Sequence, residues 1–331
     1  MKRRRLLPGI AAVAALSMAL AGCSGSDEGS SSGATGTQYT IGVAVIISHP
    51  ALQAVQDGFT EVLDEQGINY KLKSQNAQGD NSNAATIASS FAADSDIDLI
   101  LAISTPIALA MANAEKDRPI LFSAVTDPVA VGLVPSWTQA GPNITGTSDL
   151  NPDAKPVSLV KEAMPNVKTI GVLYSSSEPN SLAQLTAYQT EAASIGVNLK
   201  PQAITQPSEI SVGLESLAGV DAILIPTDNT IAASIATVIG YGQEHQIPVF
   251  CADTSTVSQG TVASRGLSYH DLGRRTGEMA VSILRDGVDI STIPPEATTS
   301  TELIVNPTAA EKFGLTLPAS LVSQAAQVEG S

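Results

Sequence analysis

Polar side chains occupy four turns, each of which lies between an apolar run and a predicted helix. The turns read Ser48-His49-Pro50, Ser104-Thr105-Pro106, Ser177-Glu178-Pro179-Asn180-Ser181 and Thr227-Asp228-Asn229-Thr230. Three of them place proline where a helix begins, and the fourth offers Asp228 as a capping residue. The free N–H groups and the positive dipole end of such helix starts can bind an anion, for example a carboxylate.

Two further turns add acids at corresponding strand ends. They read Val125-Thr126-Asp127-Pro128 and Ala252-Asp253-Thr254-Ser255. A carboxylate in either turn could pair with a cation such as an α-ammonium, because a buried charge needs a partner. The six turns together predict a site for a small zwitterion.

Each of these residues also has a purely structural interpretation. Serine, threonine, aspartate and asparagine before a helix are commonly plain N-caps. A single histidine such as His49 is more often a surface or hinge residue than a ligand contact. Asp127 before Pro128 is typical of a turn, and Tyr269, which opens a predicted helix, fits either the core or a site. The recurrence of the pattern favours the binding hypothesis over the structural one.

The elements that must position these turns follow from the hydrophobic periodicity. Strands are predicted at 41–47, 97–103, 119–125, 168–174, 220–226, 247–252, 261–267 and 301–305. Helices are predicted at 51–66, 106–116, 181–195, 230–245 and 269–285. Near-continuous apolar strands that alternate with helices indicate an α/β protein whose parallel sheets are covered on both faces.

The chain repeats itself at an offset of 129 residues. The segment 41–70 reads I-G-V, five residues, H-P and then G-I-N-Y, while 170–199 reads I-G-V, five residues, E-P and then G-V-N-L. Two similar Rossmann-like lobes in one chain imply a cleft. Ligands of open α/β sheets bind beyond the carboxyl ends of the strands, which is where the polar turns lie.

The same rhythm divides the chain into lobes with three crossovers. The first lobe is expected to contain 39–148 and 256–298, and the second 149–255 and 299–318. Residues 319–331 are expected to form a tail. Because the cleft forms between lobes of one chain, the protein is expected to be a monomer.

The N-terminus has the features of an export signal. Four basic residues at 2–5 precede an apolar stretch, and Leu-Ala-Gly-Cys ends at Cys23, which predicts a lipoprotein signal peptide over 1–22. An uncleaved helix is the alternative, but core helices do not begin with four basic residues. Cys23 would carry the lipid, and 23–38 would be a flexible tether. The protein would then be extracytoplasmic and anchored to the cell membrane.

Composition excludes several classes of function. The chain without its leader has 13 basic and 32 acidic residues, a formal charge of −19, which does not favour nucleic acid. With Cys23 lipidated, Cys251 has no disulfide partner and is expected to be a buried small hydrophobe. The chain has no H-E-x-x-H, Walker or C-x-x-C motif, which argues against an enzyme and against a metal or cofactor site.

Eight ordered motifs resemble the substrate-binding lipoproteins of ABC importers in the tryptophan/tyrosine/phenylalanine-binding group. They are H-P-A-L at His49, N-A-Q-G-D at Asn76, S-T-P at Ser104, V-T-D-P at Val125, N-I-T-G-T-S-D at Asn143, E-P-N-S at Glu178, P-T-D-N-T at Pro226 and Y-H-D-L-G-R at Tyr269. The resemblance implies the type I periplasmic-binding-protein fold. It also implies a receptor that closes on a small molecule, often an aromatic amino acid, and delivers it to a permease powered by a separate ATPase. Many relatives carry an acid where this chain has Ser268.

Roles for individual residues follow from this resemblance. Ser104, Thr105 and Thr126, with Asn180 and Ser181 on the facing lobe, are expected to hold the carboxylate and the main-chain polar atoms of the ligand. The ammonium is expected at Asp228 first, or else at Asp127 or Asp253. His49 and Asn229 complete the predicted ligand-binding set.

Two other receptor functions stay open at this stage. One is a sugar or nucleoside receptor, which would usually stack the ring on aromatic side chains, and the sole tryptophan is Trp137. The other is a sensor for a membrane signalling partner. A transcription regulator of the same fold would begin with a basic helix-turn-helix instead of a lipoprotein leader.

Overall fold

The computed structural model describes residues 37–297 and 300–330, so the predicted leader, Cys23 and nearly all of the tether lie outside the described residues. The strands are β1 (Tyr39–Val45), β2 (Tyr70–Asn76), β3 (Leu99–Ile103), β4 (Ile120–Ser123), β5 (Ile144–Ser148), β6 (Thr169–Ser175), β7 (Asn198–Ile204), β8 (Ala222–Ile225), β9 (Val249–Cys251), β10 (Ala263–Gly266), β11 (Glu296–Ala297), β12 (Glu302–Val305) and β13 (Gln327–Val328). The helices are α1 (Pro50–Glu65), α2 (Asn81–Ala93), α3 (Thr105–Ala114), α4 (Pro156–Ala163), α5 (Pro179–Ile195), α6 (Ile210–Ser216), α7 (Asn229–Ala232), α8 (Ile235–His245), α9 (Tyr269–Leu284), α10 (Pro307–Lys312) and α11 (Ala319–Val322).

Two parallel sheets form the centres of the two lobes. In the first lobe the strand order is β11-β5-β4-β3-β1-β2, and in the second it is β7-β6-β8-β9. The first four strands of each lobe therefore share one order, with β1 and β6 in equivalent central positions. The predicted α/β fold with parallel sheets is confirmed, and the strand order reproduces the sequence repeat.

One glycine in each lobe shows how closely the repeat is kept. A Cβ on Gly42 would lie 2.9 Å from the Phe91 ring, and a Cβ on Gly171 would lie 3.1 Å from Leu217. Both glycines lie on the central strand, where a helix and the turn after it press against the sheet. The side chain is missing at these positions because close packing leaves no room for it.

Each lobe has its own apolar core. Ile41, Phe59 and Leu101 lie in the first core, and Val172 and Leu224 lie in the second. Strands buried on both faces read as continuous apolar runs, which is why the sequence predicted β3, β4, β8 and β9. Phe122 and Phe250, at the ends of β4 and β9, are fully buried, as a core role requires.

The second crossing lies farther along the chain than the sequence predicted. Residues 256–298 were assigned to the first lobe, but β10 pairs antiparallel with β12, and Val262 and Ala263 belong to the second core. Only from Leu267 does the chain join the first core. Short strands are hard to assign because their lobe depends on the pairing partner, which periodicity does not reveal.

Residues 319–330 do not form the tail that was predicted over 319–331. Leu321 in α11 is buried in the second core, and β13 pairs in parallel with β12. These residues cover the edge of β12, which would otherwise expose unpaired backbone groups. The prediction of a tail was wrong because this segment is rich in small and polar residues.

Helices α1 and α9 pack unusually closely, although about 200 residues separate them in sequence. A Cβ on Gly58 would lie 2.1 Å from the His270 carbonyl oxygen, and one on Gly273 would lie 2.0 Å from that of Val55. Only glycine permits backbones to approach so near. The contact joins the helix after the second crossing firmly to the first lobe.

The sequence did not predict some features of the secondary structure. The predicted helix 230–245 is divided into α7 and α8 near Ser234. Strands β2 and β7, with their mixed polar pattern, also went unpredicted. In the described part of the chain, no helix is both long and apolar enough to cross a membrane.

Candidate functional site

A cavity lies between the lobes, beyond the carboxyl ends of their strands. It has about 290 Å³ of unfilled space, part of it open to solvent. Its lining comes from both lobes: His49, Leu52, Ala124, Thr126, Asp149 and Tyr269 from the first, and Asn180, Thr227, Asp228, Asn229, Ala232 and Asp253 from the second. The position is the one predicted from the polar turns.

The helix starts around the cavity have the predicted chemistry. Proline occupies the first turn of α1, α3 and α5, and none of these three helices has a side-chain cap. The fourth, α7, is capped by Asp228, whose carboxylate accepts a hydrogen bond from the Ile231 N–H at 3.0 Å. No capping side chain thus accepts from the N–H groups of the first three helix starts, whereas the Asp228 carboxylate does so at the fourth.

Glu178 fills the start of α7 from the neighbouring turn. Its buried carboxylate accepts hydrogen bonds from the N–H groups of Asn229 at 3.1 Å and Thr230 at 2.9 Å. It also accepts from the Asn229 amide at 2.5 Å, the Thr230 hydroxyl at 2.8 Å and the Asn180 amide at 3.2 Å. Glu178 therefore orders this side of the cavity without lining it.

Asp228 is buried and lines the cavity, but its carboxylate already has three donors from its own lobe. These are the Ser175 N–H at 2.6 Å, the Ser181 hydroxyl at 2.7 Å and the Ile231 N–H. Burial and the neighbouring Glu178 carboxylate raise the pKa of Asp228 to about 8, against the opposite effect of these hydrogen bonds. Asp228 thus connects β6, α5 and α7 within the second lobe, a structural role that the sequence did not reveal.

Asp149 is a cavity residue that the predicted set missed. One carboxylate oxygen accepts a hydrogen bond from the Tyr269 hydroxyl at 3.1 Å. The other, Oδ1, is buried without a hydrogen-bond partner among the described residues. Burial raises the pKa of Asp149, while hydroxyls of Thr126 and Tyr269 act to lower it. The available signal was its place after β5, at the end of the motif that begins at Asn143.

Asn180 presents a second unsatisfied oxygen to the cavity. Its amide nitrogen donates to the Thr227 carbonyl at 2.7 Å and to Glu178 at 3.2 Å, so the nitrogen and oxygen positions are determined. The remaining Oδ1 is buried and has no hydrogen-bond partner among the described residues. The cavity thus offers one free acceptor from each lobe.

His49 reaches from the first lobe to two groups of the second. Its Nε2 lies 3.3 Å from Oδ1 of Asn229, and its Nδ1 lies 3.7 Å from Oδ2 of Asp253. Asp253 also accepts a hydrogen bond from the Ser255 N–H at 2.8 Å, as a capping residue. The predicted residues His49, Asn229 and Asp253 therefore meet at one place.

Four predicted residues do not line the cavity. Ser104 and Thr105 are buried at the start of α3, beside Thr126, whose N–H donates to the Thr105 hydroxyl at 3.4 Å. Ser181 donates its hydroxyl to Asp228. Asp127 caps a turn by accepting from the Ala130 N–H at 2.9 Å, so the turn interpretation is correct at that position.

Ser104 has an unusual conformation for its residue type. Its φ is +94°, a region that favours glycine, and its hydroxyl is buried with no hydrogen-bond partner in the described structure. Strain of this kind persists where the surrounding structure imposes it, often at functional sites. Ser104 is therefore the most conspicuous residue at the uncapped start of α3.

The electrostatic character of the cavity is acidic. Asp149, Asp228 and Asp253 line it, and none of the lining residues in the described structure is lysine or arginine. Tyr269 is the one aromatic side chain in that set, and Trp137 is not part of it. Two lobes that close on a buried, charged cavity define a ligand receptor of the periplasmic-binding-protein type.

Comparison with known proteins identifies the family. The family model for ABC transporter substrate binding proteins matches residues 40–329. A tyrosine-binding protein of Clostridioides difficile strain R20291 is 38% identical over 307 residues, which are 90% of this chain and 88% of that protein. The chain belongs to the ABC transporter substrate binding protein family. More distant structures, at 12 to 14% identity, share only its type I periplasmic-binding-protein fold.

Two solved relatives differ in how well they match the arrangement of the lobes. An ABC domain from Streptococcus pneumonia in complex with L-Trp is 36% identical, covers 88% of this chain and all of that one, and superposes with a TM-score of 0.84. The ligand-free, open structure of a substrate binding protein with adhesive properties from Clostridium difficile is 40% identical with the same coverage, but its TM-score is 0.64. Despite the lower identity, the present structure therefore resembles the L-Trp complex more closely than the open relative.

Proposed function

We propose that this chain is the extracytoplasmic receptor of an ABC importer and that it encloses one amino acid with an aromatic side chain. The observation that carries the proposal is the buried acidic cavity with a free acceptor from each lobe. An α-ammonium is the group that fits two such acceptors. The aromatic side chain is inferred from the tyrosine-binding relative and from the relative solved with L-Trp.

The ammonium would bind between Asp149 and Asn180. Asp149 supplies the negative charge and an oxygen with no other partner, whereas the oxygens of Asp228 already accept three hydrogen bonds. A cation lowers the pKa of a neighbouring carboxyl, so binding would return Asp149 to its charged form. The proposal moves the principal ammonium contact from Asp228 to Asp149.

The carboxylate would bind toward the start of α3. This helix has no side-chain cap, and Ser104 holds an unpartnered hydroxyl there. Thr126 lines the cavity immediately beside it. The start of α7 cannot serve in the same way, because Glu178 and Asp228 occupy its N–H groups.

The ring would lie against the apolar part of the lining. Leu52 and Ala124 belong to the first lobe and Ala232 to the second, so their small or aliphatic side chains could enclose a flat group from both sides. Contacts made to both lobes exist only in the closed form, and they would shift the opening equilibrium toward closure.

Further parts of the proposal concern the membrane anchor, the transport partners, the oligomeric state and the absence of catalysis. We infer a lipid anchor at Cys23, delivery of the ligand to a membrane permease with its ATPase, a monomeric state and no enzymatic activity. The leader motif and the family membership support these inferences. Labelling with radioactive palmitate, compared between the native chain and Cys23→Ala, tests the anchor. Equal labelling would contradict it.

Calorimetry with matched ligands tests which charges are recognised. L-Tyrosine, L-tryptophan and L-phenylalanine are compared with N-acetyl-L-tyrosine, which has no ammonium, and with tyramine, which has no carboxylate. The proposal expects binding by amino acids and a loss of at least about 100-fold for either altered compound, roughly 2.7 kcal/mol. Thermal stabilisation by sugars and by no amino acid would contradict the proposal.

A pair of aspartate variants tests the ammonium site. Asp149→Asn removes the charge and should weaken L-tyrosine binding by about 100-fold or more, as expected when one partner of a buried charge pair is lost. Asp127→Asn is the matched control, since Asp127 lies in a nearby turn outside the cavity lining. Equal affinity of both variants would remove Asp149 from the site.

A further inference from the structure

His49 is held between two groups of the opposite lobe. It precedes α1 in the first lobe, while Asn229 opens α7 and Asp253 follows β9 in the second. The distances are 3.3 Å from Nε2 to the Asn229 oxygen and 3.7 Å from Nδ1 to the Asp253 carboxylate. Opening of the cleft would break both contacts at once.

The orientation of the Asn229 amide determines which ring nitrogen donates. Its nitrogen lies 2.5 Å from the Glu178 carboxylate, and since a carboxylate only accepts, this atom must be the donor. The Asn229 oxygen therefore faces His49 and accepts from Nε2–H. The proton on Nε2 is thus required by a network buried within the second lobe.

The other ring nitrogen then has two possible states. In the neutral ring with Nε2–H, the lone pair of Nδ1 faces the Asp253 carboxylate, so two acceptors confront each other in a buried place. In the imidazolium, Nδ1–H points at a negative charge. Nδ1 has no hydrogen-bond partner in the described structure, so nothing else there satisfies it.

We propose that His49 is a latch between the lobes, and that its imidazolium form holds the ligand-free cleft closed. Protonation of the ring would favour closure, and loss of that proton would favour opening. The proposal concerns the empty receptor and does not depend on which ligand it binds.

Other charges around His49 act on the same equilibrium. The groups on the surrounding elements are Asp149, Glu178, Asp228, Asp253 and Tyr269, together with the positive dipole end of α1. Since Asp149 and Asp228 also titrate, pH dependence must be separated by variants of the latch itself.

Small-angle X-ray scattering of the ligand-free protein at pH 5.5 and 8.0 measures closure directly. The native protein should have a smaller radius of gyration at pH 5.5. His49→Gln should be as extended at pH 5.5 as the native protein is at pH 8.0. His270→Gln is the control, because His270 is partly exposed and paired with Glu61 within the first lobe, and it should keep the native difference.

Asp253→Asn gives an independent test. Its oxygen can keep the Ser255 N–H, while its amide nitrogen replaces the carboxylate oxygen that faces Nδ1. The neutral ring then fits both partners, so this variant should be compact at pH 8.0. An equal radius of the native protein at both pH values, a native pH difference in His49→Gln, or an extended Asp253→Asn at pH 8.0 would each overturn the proposal.

Discussion

The starts of α3 and α7 occupy equivalent places in the two lobes but differ in whether side chains accept hydrogen bonds from their backbone N–H groups. Each follows the strand next to the central strand of its sheet, β3 or β8. At α7, the carboxylates of Glu178 and Asp228 accept from the backbone N–H groups. At α3 there is no side-chain cap, and the Ser104 hydroxyl is unpartnered in the described structure.

This difference would allow a duplicated scaffold to recognise an asymmetric ligand. In the proposed binding mode, the second lobe provides its own carboxyl groups at the helix start, and the first lobe leaves this position for the carboxylate of the ligand. A zwitterion can then bind in one direction only.

Removal of the internal anion should have the largest effect. Glu178→Ala removes the acceptor of five hydrogen bonds in the second lobe, and unsatisfied buried donors cost about 1–3 kcal/mol each. We expect the free energy of unfolding to fall by at least about 3 kcal/mol in urea titrations. Glu215→Ala, at an exposed position on α6, is the control. A loss no greater than in that control would show that α7 needs no anion.

Addition of an anion to the first lobe should weaken binding of the ligand. Ser104→Asp would give α3 the internal carboxylate that α7 already has, and it would repel the carboxylate of the ligand. We expect affinity for L-tyrosine to fall about 100-fold, or roughly 2.7 kcal/mol. Thr86→Asp, exposed on α2, controls for added charge. Unchanged affinity in Ser104→Asp would place the ligand carboxylate elsewhere.

The change of stability with pH should be a smaller effect per pH unit, and it should arise in the second lobe. The pKa of Asp228 is about 8 in the folded protein and 3.8 in a model compound. Between these values the folded state holds a proton that the unfolded chain has lost, so the contribution of Asp228 to stability is fully present below about pH 4 and is lost as the pH rises toward 8. The slope is at most about 1.4 kcal/mol per pH unit for one such group.

Thermal unfolding between pH 5 and 8 measures this slope. Asp228→Asn should reduce it, while Asp127→Asn should retain it because that residue lies in a turn outside the cavity. An identical slope in the native protein and Asp228→Asn would mean that other groups, such as Asp149, account for it.

Much of the fold was predictable because it is encoded locally. Buried strands produce apolar runs, and the 129-residue repeat predicts two similar lobes before any contact is known. The placement of β10 and β13 was not predictable, because both are short and their lobe is decided by pairing with β12. Pairing between strands that are distant in sequence leaves no periodic signal.

The site was predictable in position more than in detail. Turns at strand ends pointed to His49, Thr126, Asn180, Asp228, Asn229 and Asp253, which all line the cavity. The predicted set contained Asp228 and omitted Asp149, because the number of donors already bound to a carboxylate cannot be read from the sequence. Leu52, Ala124 and Ala232 also line the cavity, but apolar residues give no chemical signal of their own.

The glycine contact between α1 and α9 has a consequence for the design of biosensors. His49 precedes one of these helices and Tyr269 opens the other. The close packing of α1 and α9 therefore joins these two cavity residues, even though they are far apart in sequence. A fluorophore attached near Tyr269 would therefore report the distance between His49 and the second lobe. Any attempt to transplant a new ligand preference would have to carry both helices together, since Gly58 and Gly273 leave no room for independent adjustment.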